Sequence, residues 1–145
     1  MDMNKLFRYF IQGSIILTLA TSENNEPWVC NVFYISDKDL NLYFLSGKKT
    51  THSQHIKKNN PVSVSIYDHE SNFDGVHGAQ MTGTVKELGL LAAMKVLPKF
   101  KKVFGVKLTK VDLKETMGSR FYKFTPNGVY YRNSKKFKGK QEVIL

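Results

Sequence analysis

The 145-residue chain contains one cysteine, Cys30, so no internal disulfide can brace it. A lone unpaired thiol is the usage of a reducing compartment, and a cytoplasmic location is expected. No apolar run reaches the ~18 residues that a membrane span needs. The stretch Ser14-Ile15-Ile16-Leu17-Thr18-Leu19-Ala20 is short and follows an amphipathic segment rather than a basic tip. It therefore reads as a buried strand and not as a signal segment. There is no internal repeat, Walker loop, nucleophile elbow or paired-carboxylate signature. Zinc-finger, basic-zipper and RNA-recognition motifs are missing as well. If such a chain is an enzyme, a cofactor carries the chemistry and the protein supplies orientation and electrostatics.

Acidic residues are scarce in one part of the chain only. Residues 1–94 carry 8 Lys/Arg against 9 Asp/Glu, a net of −1, whereas residues 95–145 carry 14 against 3, a net of +11. A basic stretch can serve nucleic acid, an anionic surface, a phosphorylated ligand or solubility alone. Lysine dominates the excess and no nucleic-acid motif accompanies it, so a small anionic ligand ranks above nucleic acid. With 41% hydrophobic and 12% aromatic residues, the composition is that of one globular domain over 1–145.

Residues 3–12 place Leu6, Phe7, Phe10 and Ile11 on one helical face, and Gly13 ends that N-terminal helix. Strands are expected at 14–21, 28–36 and 40–45, with turns at 22–27 and 37–39. Thr51-His52-Ser53-Gln54 has the form of a capping box opening a two-turn helix, which Pro61 blocks. Alternating Val62, Val64 and Ile66 mark the next strand, and a polar stretch from Asp68 to Gly78 precedes another at 79–87. Gly83 inside that strand signals a bulge or a close backbone approach. Residues 88–104 read as a helix in which Pro98 makes a kink or begins a second short helix, and Val111 to Thr116 as one helical turn. Arg120–Phe124 and Val129–Arg132 read as two strands joined by a Thr-Pro-Asn-Gly turn, followed by a mobile basic tail over 134–145. Short antiparallel strands with small helices point to a mainly β fold, a closed or split barrel of six to seven strands.

The most informative stretch is the elbow between residues 46 and 52. Ser46, Gly47, Lys48, Lys49, Thr50 and Thr51 approach a helix N-terminus, where free N–H groups and the helix dipole favour an anion. Phosphate suits this donor set best, although a solvated, well-capped helix start explains the same residues.

Several features together resemble the pyridoxamine 5′-phosphate oxidase-like, FMN-binding split-barrel superfamily. They are Tyr43-Phe44-Leu45-Ser46, Thr50-Thr51-His52, the helix ending in Asn59-Asn60-Pro61, and Gln80-Met81-Thr82-Gly83. Trp28 with Asn31-Val32-Phe33-Tyr34 is most similar to a small uncharacterised bacterial branch. The resemblance implies a homodimer with FMN in a groove between subunits, acting on a small-molecule substrate, and no membrane. Ser46 matches a position touching the cofactor, and Thr50, Thr51 and His52 match a phosphate-gripping triplet that many relatives build with Arg and Lys. Lys48 or Lys49, or a protonated His52, would restore the lost charge. Asn31 and Val32 match the strand beside the flavin ring, and Gln80 is a polar contact from a later strand. Phe33, Tyr34, Tyr43 and Tyr131 exceed what one core is expected to absorb, which also favours a dimer.

Other residues carry less. Trp28 reads as core or interface and Cys30 as a buried small hydrophobe. His52 and His55 lie three apart, but no carboxylate or cysteine joins them at ligand spacing, so no metal is expected. His69 and His77 read as surface-loop residues. Two readings stay open beside the flavin enzyme: a non-catalytic flavin- or haem-binding module, and an anionic-surface or nucleic-acid binder.

Overall fold

A computed structural model describes residues 1–105 and 118–145. The elements run α1 (Met3–Gly13), β1 (Ile16–Glu23), β2 (Glu26–Ser36), β3 (Leu42–Gly47), α2 (Thr51–Lys58), β4 (Pro61–Tyr67), β5 (His77–Glu87), α3 (Leu90–Phe104), β6 (Ser119–Asn133) and β7 (Lys140–Glu142). The expected turn over 111–116 lies outside the described residues. No described helix is long and apolar enough to cross a membrane.

All seven strands pair antiparallel in the order β3-β2-β1-β4-β5-β6-β7, and a further β3–β6 pairing closes the ring. The result is a split β-barrel. Alternation sends Leu17, Leu19, Val62, Val64, Ile66, Met81 and Val85 inward, where they form the main core. α1 seals one end of this core with Phe7, Phe10 and Ile11, and Tyr34 Oη donates to the Ile11 carbonyl at 2.7 Å. α2 covers the opposite end. α3 lies on the outside of β2, β3 and β6, burying Ala93, Leu97 and Phe100 against Ile35 and Phe121. On the remaining outer surface, no described helix covers the outward side chains of β1, β4 and much of β2 and β5, although Phe33 of β2 meets Phe104 of α3 at 5.4 Å between ring centroids.

Several expectations need correction. The 22–27 turn is only two residues long: Asn24 and Asn25 have φ of 50° and 62°, and Glu23 pairs with Glu26. Such a primed turn matches the strand twist. Leu40 is not strand; it sits at φ 65° in a turn built on the Asp37 carboxylate, which accepts the N–H groups of Asp39 and Asn41. Thr125–Gly128 does not reverse the chain. β6 runs through it as one 15-residue strand, because both halves pair with the long β5. The turn residues instead make a register shift opposite Thr82 and Gly83. Gly83 is required there, since a Cβ would lie 2.2 Å from the Thr125 carbonyl oxygen. Pro98 begins no second helix; it sits inside a continuous α3. The tail is partly ordered: β7 pairs with β6, and Val143 is buried. Tyr34 and Tyr131 fit within one subunit's core at 1% exposure, and Tyr43 is half-buried with its hydroxyl on Asp37, so only Phe33 of the expected surplus is exposed.

Candidate functional site

The site begins where β2 and β3 part. Their ladder holds only three residue pairs, Tyr34↔Phe44, Ile35↔Tyr43 and Ser36↔Leu42. β2 nevertheless continues to Glu26 on one side and β3 to Gly47 on the other. Carried on, the register would set Val32 across from Ser46 and Asn31 across from Gly47. Instead β3 stays with β6, and α2 packs near the opening.

This parting leaves main-chain groups open. The Tyr34 N–H donates to the Ile15 carbonyl, in register with the β1–β2 ladder. Alternate residues of an antiparallel strand face opposite neighbours, so Asn31 and Val29 direct N–H and C=O to the other edge; Phe33 directs its N–H there too, while its carbonyl serves the Tyr34↔Phe44 pair. Among the described residues no strand pairs with that edge below Tyr34. Pro27 belongs to the same set, and its missing N–H costs no ladder bond there.

The elbow beside this edge is held by a compact polar network. Thr50, not Thr51, is the N-cap of α2, and its Oγ1 accepts the Ser53 N–H at 3.3 Å. The same Oγ1 lies 2.9 Å from the Gly47 carbonyl oxygen and 2.8 Å from Ser53 Oγ. His52 Nε2 is 2.8 Å from Ser46 Oγ and 3.2 Å from Thr50 Oγ1. His55 Nδ1 is 3.0 Å from Thr21 Oγ1. Gln54 does not complete a capping box; its Nε2 donates to the Lys48 carbonyl.

His52 is only 8% exposed. Burial first, and the neighbouring His55 second, hold its pKa below the ordinary imidazole value. At neutral pH it is an uncharged ring fixing Ser46 and Thr50, not the surface cation the sequence offered. Thr51, Lys48 and Lys49 are exposed. Among the described residues, the N–H groups of Thr51 and His52 have no acceptor.

Ser46, Thr50 and His52 are thus brought together, with Thr51 and Lys49 beside them. Val32 turns inward against the core. Asn31 lies on the outer face, its Oδ1 accepting from Thr18 Oγ1 at 2.7 Å. Gln80 shares that face but not that place: Thr18, Ser65 and Gln80 follow Asn31 across successive strands, about 14 Å in all. Gln80 Oε1 accepts instead from Lys140 Nζ at 3.2 Å.

The other singled-out residues separate clearly. Cys30 faces the core half-buried, and burial pushes its thiol pKa up. Trp28 is 47% exposed. His77 is not a loop residue; it opens β5, with Nε2 2.8 Å from Tyr131 Oη and its ring stacked on Phe10. His69 is exposed and lines a cavity of about 720 Å³ together with Tyr9, Ile16, Asn31 and Tyr67. A second cavity, about 1020 Å³, lies between α2 and the β5–β6 pair.

Sequence reasoning did not find the open β2 edge, because it arises from where β3 goes rather than from any residue type. Nor did it find Ser53 as the third hydroxyl of the elbow, although Thr50 and Ser53 have the spacing of a cap.

Residues 3–133 match the protein family described as pyridoxamine 5′-phosphate oxidase. A UPF0306 protein of Pasteurella multocida is 31% identical over 87 residues, which make up 59% of this chain and 58% of that protein. The chain therefore aligns with little more than half the length of that relative. Among solved structures, the heme storage protein HutZ of Vibrio cholerae superposes with a TM-score of 0.75 at 16% identity, over 90% of this chain and 95% of that one. A FAD-binding protein of Mesorhizobium loti gives 0.68 at 18% identity, over 89% and 90%. At these identities the structural likeness is one of fold.

Proposed function

The chain belongs to the pyridoxamine 5′-phosphate oxidase family, and from that premise we propose an FMN-binding homodimer, a flavin-dependent oxidoreductase acting on a small molecule. The observation that carries this reading is the unpaired β2 edge at Val29, Asn31 and Phe33, lying next to the elbow. The flavin supplies hydride transfer when bound. The chain's residues fit its two ends. Lys48, Lys49, the Thr51 hydroxyl and the N–H groups at the start of α2 offer donors for the phosphate. The main chain at Asn31 and the Phe33 N–H offer donors and an acceptor to the ring edge, and Val32 holds that strand against the core. His52 keeps Ser46 and Thr50 in place and contributes no charge.

A second subunit has a surface to meet. Ile16, Val29 and Phe33 are 47%, 60% and 54% exposed on the outer face, around the small side chains of Thr18, Ala20, Ser63 and Ser65. Flat apolar surface of this kind supports a partner copy. Such a copy would also give Gln80 a place beside the site that one subunit denies it. Sedimentation as a stable folded monomer at micromolar concentration would remove this part.

A haem-binding reading is favoured by one observation. His69 lines the 720 Å³ cavity and is exposed, with Nδ1 3.7 Å from Asp68 Oδ1 but no side-chain hydrogen bond among the described residues, while His52, His55 and His77 are hydrogen-bonded to side chains. The test is the absorption spectrum of the purified protein, followed by titration with FMN and riboflavin. A flavin spectrum is expected, with riboflavin at least ~100-fold weaker, because two or three charge-assisted bonds to phosphate are lost. A Soret band abolished by His69→Ala would replace flavin with haem. Equal affinity for the two flavins would reduce the elbow to a capped helix start.

A further inference from the structure

The lysines of residues 1–94 are gathered in a way the near-neutral charge of that stretch conceals. Of its eight Lys/Arg residues, five line one cleft: Lys48, Lys49, Lys57, Lys58 and Lys86. The cleft, about 1020 Å³, is the cavity between α2 and the β5–β6 pair. Topology assembles it. The Val85 N–H donates to the Asn60 carbonyl at 3.1 Å, which brings the end of β5, with Lys86, beside the end of α2.

Among the described residues, little balances these charges. Lys58 Nζ is bridged to Glu23 at 3.0 Å. Glu87, the one carboxylate among the described residues that lines the cleft, has Oε1 3.6 Å from Arg120 Nε. Lys48, Lys49, Lys57 and Lys86 have no ion-pair partner among the described residues. Lys57 and Lys58 stand in the last turn of α2, where the helix dipole favours cations. Lys48 and Lys49 stand just before its first turn, where the dipole opposes them. Like charges at the wrong end of a helix, facing others across a concavity, raise a positive potential that a bound anion relieves.

We propose that this cleft binds a polyphosphate, a ligand with two or more linked phosphate groups. A single phosphate monoester carries about −1.5 to −2 and would leave roughly half of the four unpaired ammonium charges unmatched. Linked phosphates carry the further negative charge that these ammonium groups call for. Thr84, Thr125 and Asn60 add neutral donors along it. The cleft lies on the β5–β6 flank of α2, away from the β2 edge. It shares only Lys48 and Lys49 with the flavin reading and does not depend on it. The phosphates could belong to a nucleoside triphosphate or to the diphosphate of a flavin dinucleotide.

The test is calorimetric titration of the full chain with inorganic tripolyphosphate and with orthophosphate at low salt. Tripolyphosphate should bind at least ~10-fold more tightly than orthophosphate. Lys57→Ala/Lys86→Ala should weaken it at least ~10-fold, while Lys136→Ala/Lys138→Ala, with the same charge removed from the tail, should change it less than ~2-fold. FMN affinity of the Lys57/Lys86 variant should stay within ~2-fold, so failure of the flavin reading and failure of this one are told apart. Displacement of tripolyphosphate by ATP or by FAD, whichever acts at lower concentration, identifies the source. Equal affinity for the two inorganic anions, or equal weakening by the two double variants, overturns the proposal.

Discussion

The two ends of the barrel are closed by helices in opposite ways. At one end α1 buries Phe7, Phe10 and Ile11, with Phe7 edge-on to Tyr131 at 5.6 Å between centroids. At the other, α2 buries His52, Ser53 and His55 beside a single aliphatic residue, Ile56. Apolar burial holds the first closure, with few polar groups to satisfy beyond the Tyr34 hydroxyl on Ile11 and the His77–Tyr131 contact. The second must satisfy the side-chain polar groups it removes from water, and it does so: no fully buried side-chain polar atom lacks a partner among the described residues. The closure that gains less from packing is also the one next to the open β2 edge, the elbow and the lysine cleft. Apolar packing and the proposed ligand chemistry thus fall at different ends.

Breaking the apolar end should produce the largest change. Phe7→Ala should cost ~3–5 kcal/mol of unfolding free energy, since the ring is fully buried. Its FMN affinity, measured on the folded fraction, should be unaltered. If affinity fell with stability, the two ends would not be separable.

An intermediate effect distinguishes two adjacent threonines. Thr50→Val removes the cap and the contact to His52, and should cost about 1 kcal/mol together with FMN affinity. Thr51→Val, an exposed position, should stay within ~0.5 kcal/mol and affect only binding. Chemical denaturation of both variants checks this, and equal losses would return the cap to Thr51.

The smallest effect is a pH dependence confined to the α2 end. His52 titrates near 6.5 when unfolded and lower when folded, so between those values the unfolded chain binds the extra proton. Stability from this ring is complete above the unfolded pKa and is lost as pH falls below it toward the folded one. Melting temperature should therefore drop between pH 7 and pH 5, and His52→Gln should flatten the slope. An unchanged slope in the variant would mean that another group is responsible.

Much of this was legible from residues alone, for local reasons. Periodicity marked α1 by Phe7, Phe10 and Ile11, and β4 by Val62, Val64 and Ile66, because burial on one face repeats with the geometry of each element. Gly83 announced a close approach, because only glycine tolerates a carbonyl where a Cβ would be. The elbow was visible because hydroxyls and lysines cluster within six residues of a helix start. The tertiary structure decided what depends on partners distant in the chain. It carried β6 straight through Thr-Pro-Asn-Gly, since pairing along the whole of β5 outweighs a local turn preference. It turned His52 inward, since Ser46 on the preceding strand stands where its ring can be bonded. It opened the main chain of β2 by keeping the end of β3 on β6. It set Lys86 beside α2 by extending the β4–β5 ladder to the Val85 N–H and the Asn60 carbonyl. A chain's own pattern determines which face of each element is buried; which elements meet, and what their edges leave exposed, is settled only when strands far apart in sequence compete for the same neighbour.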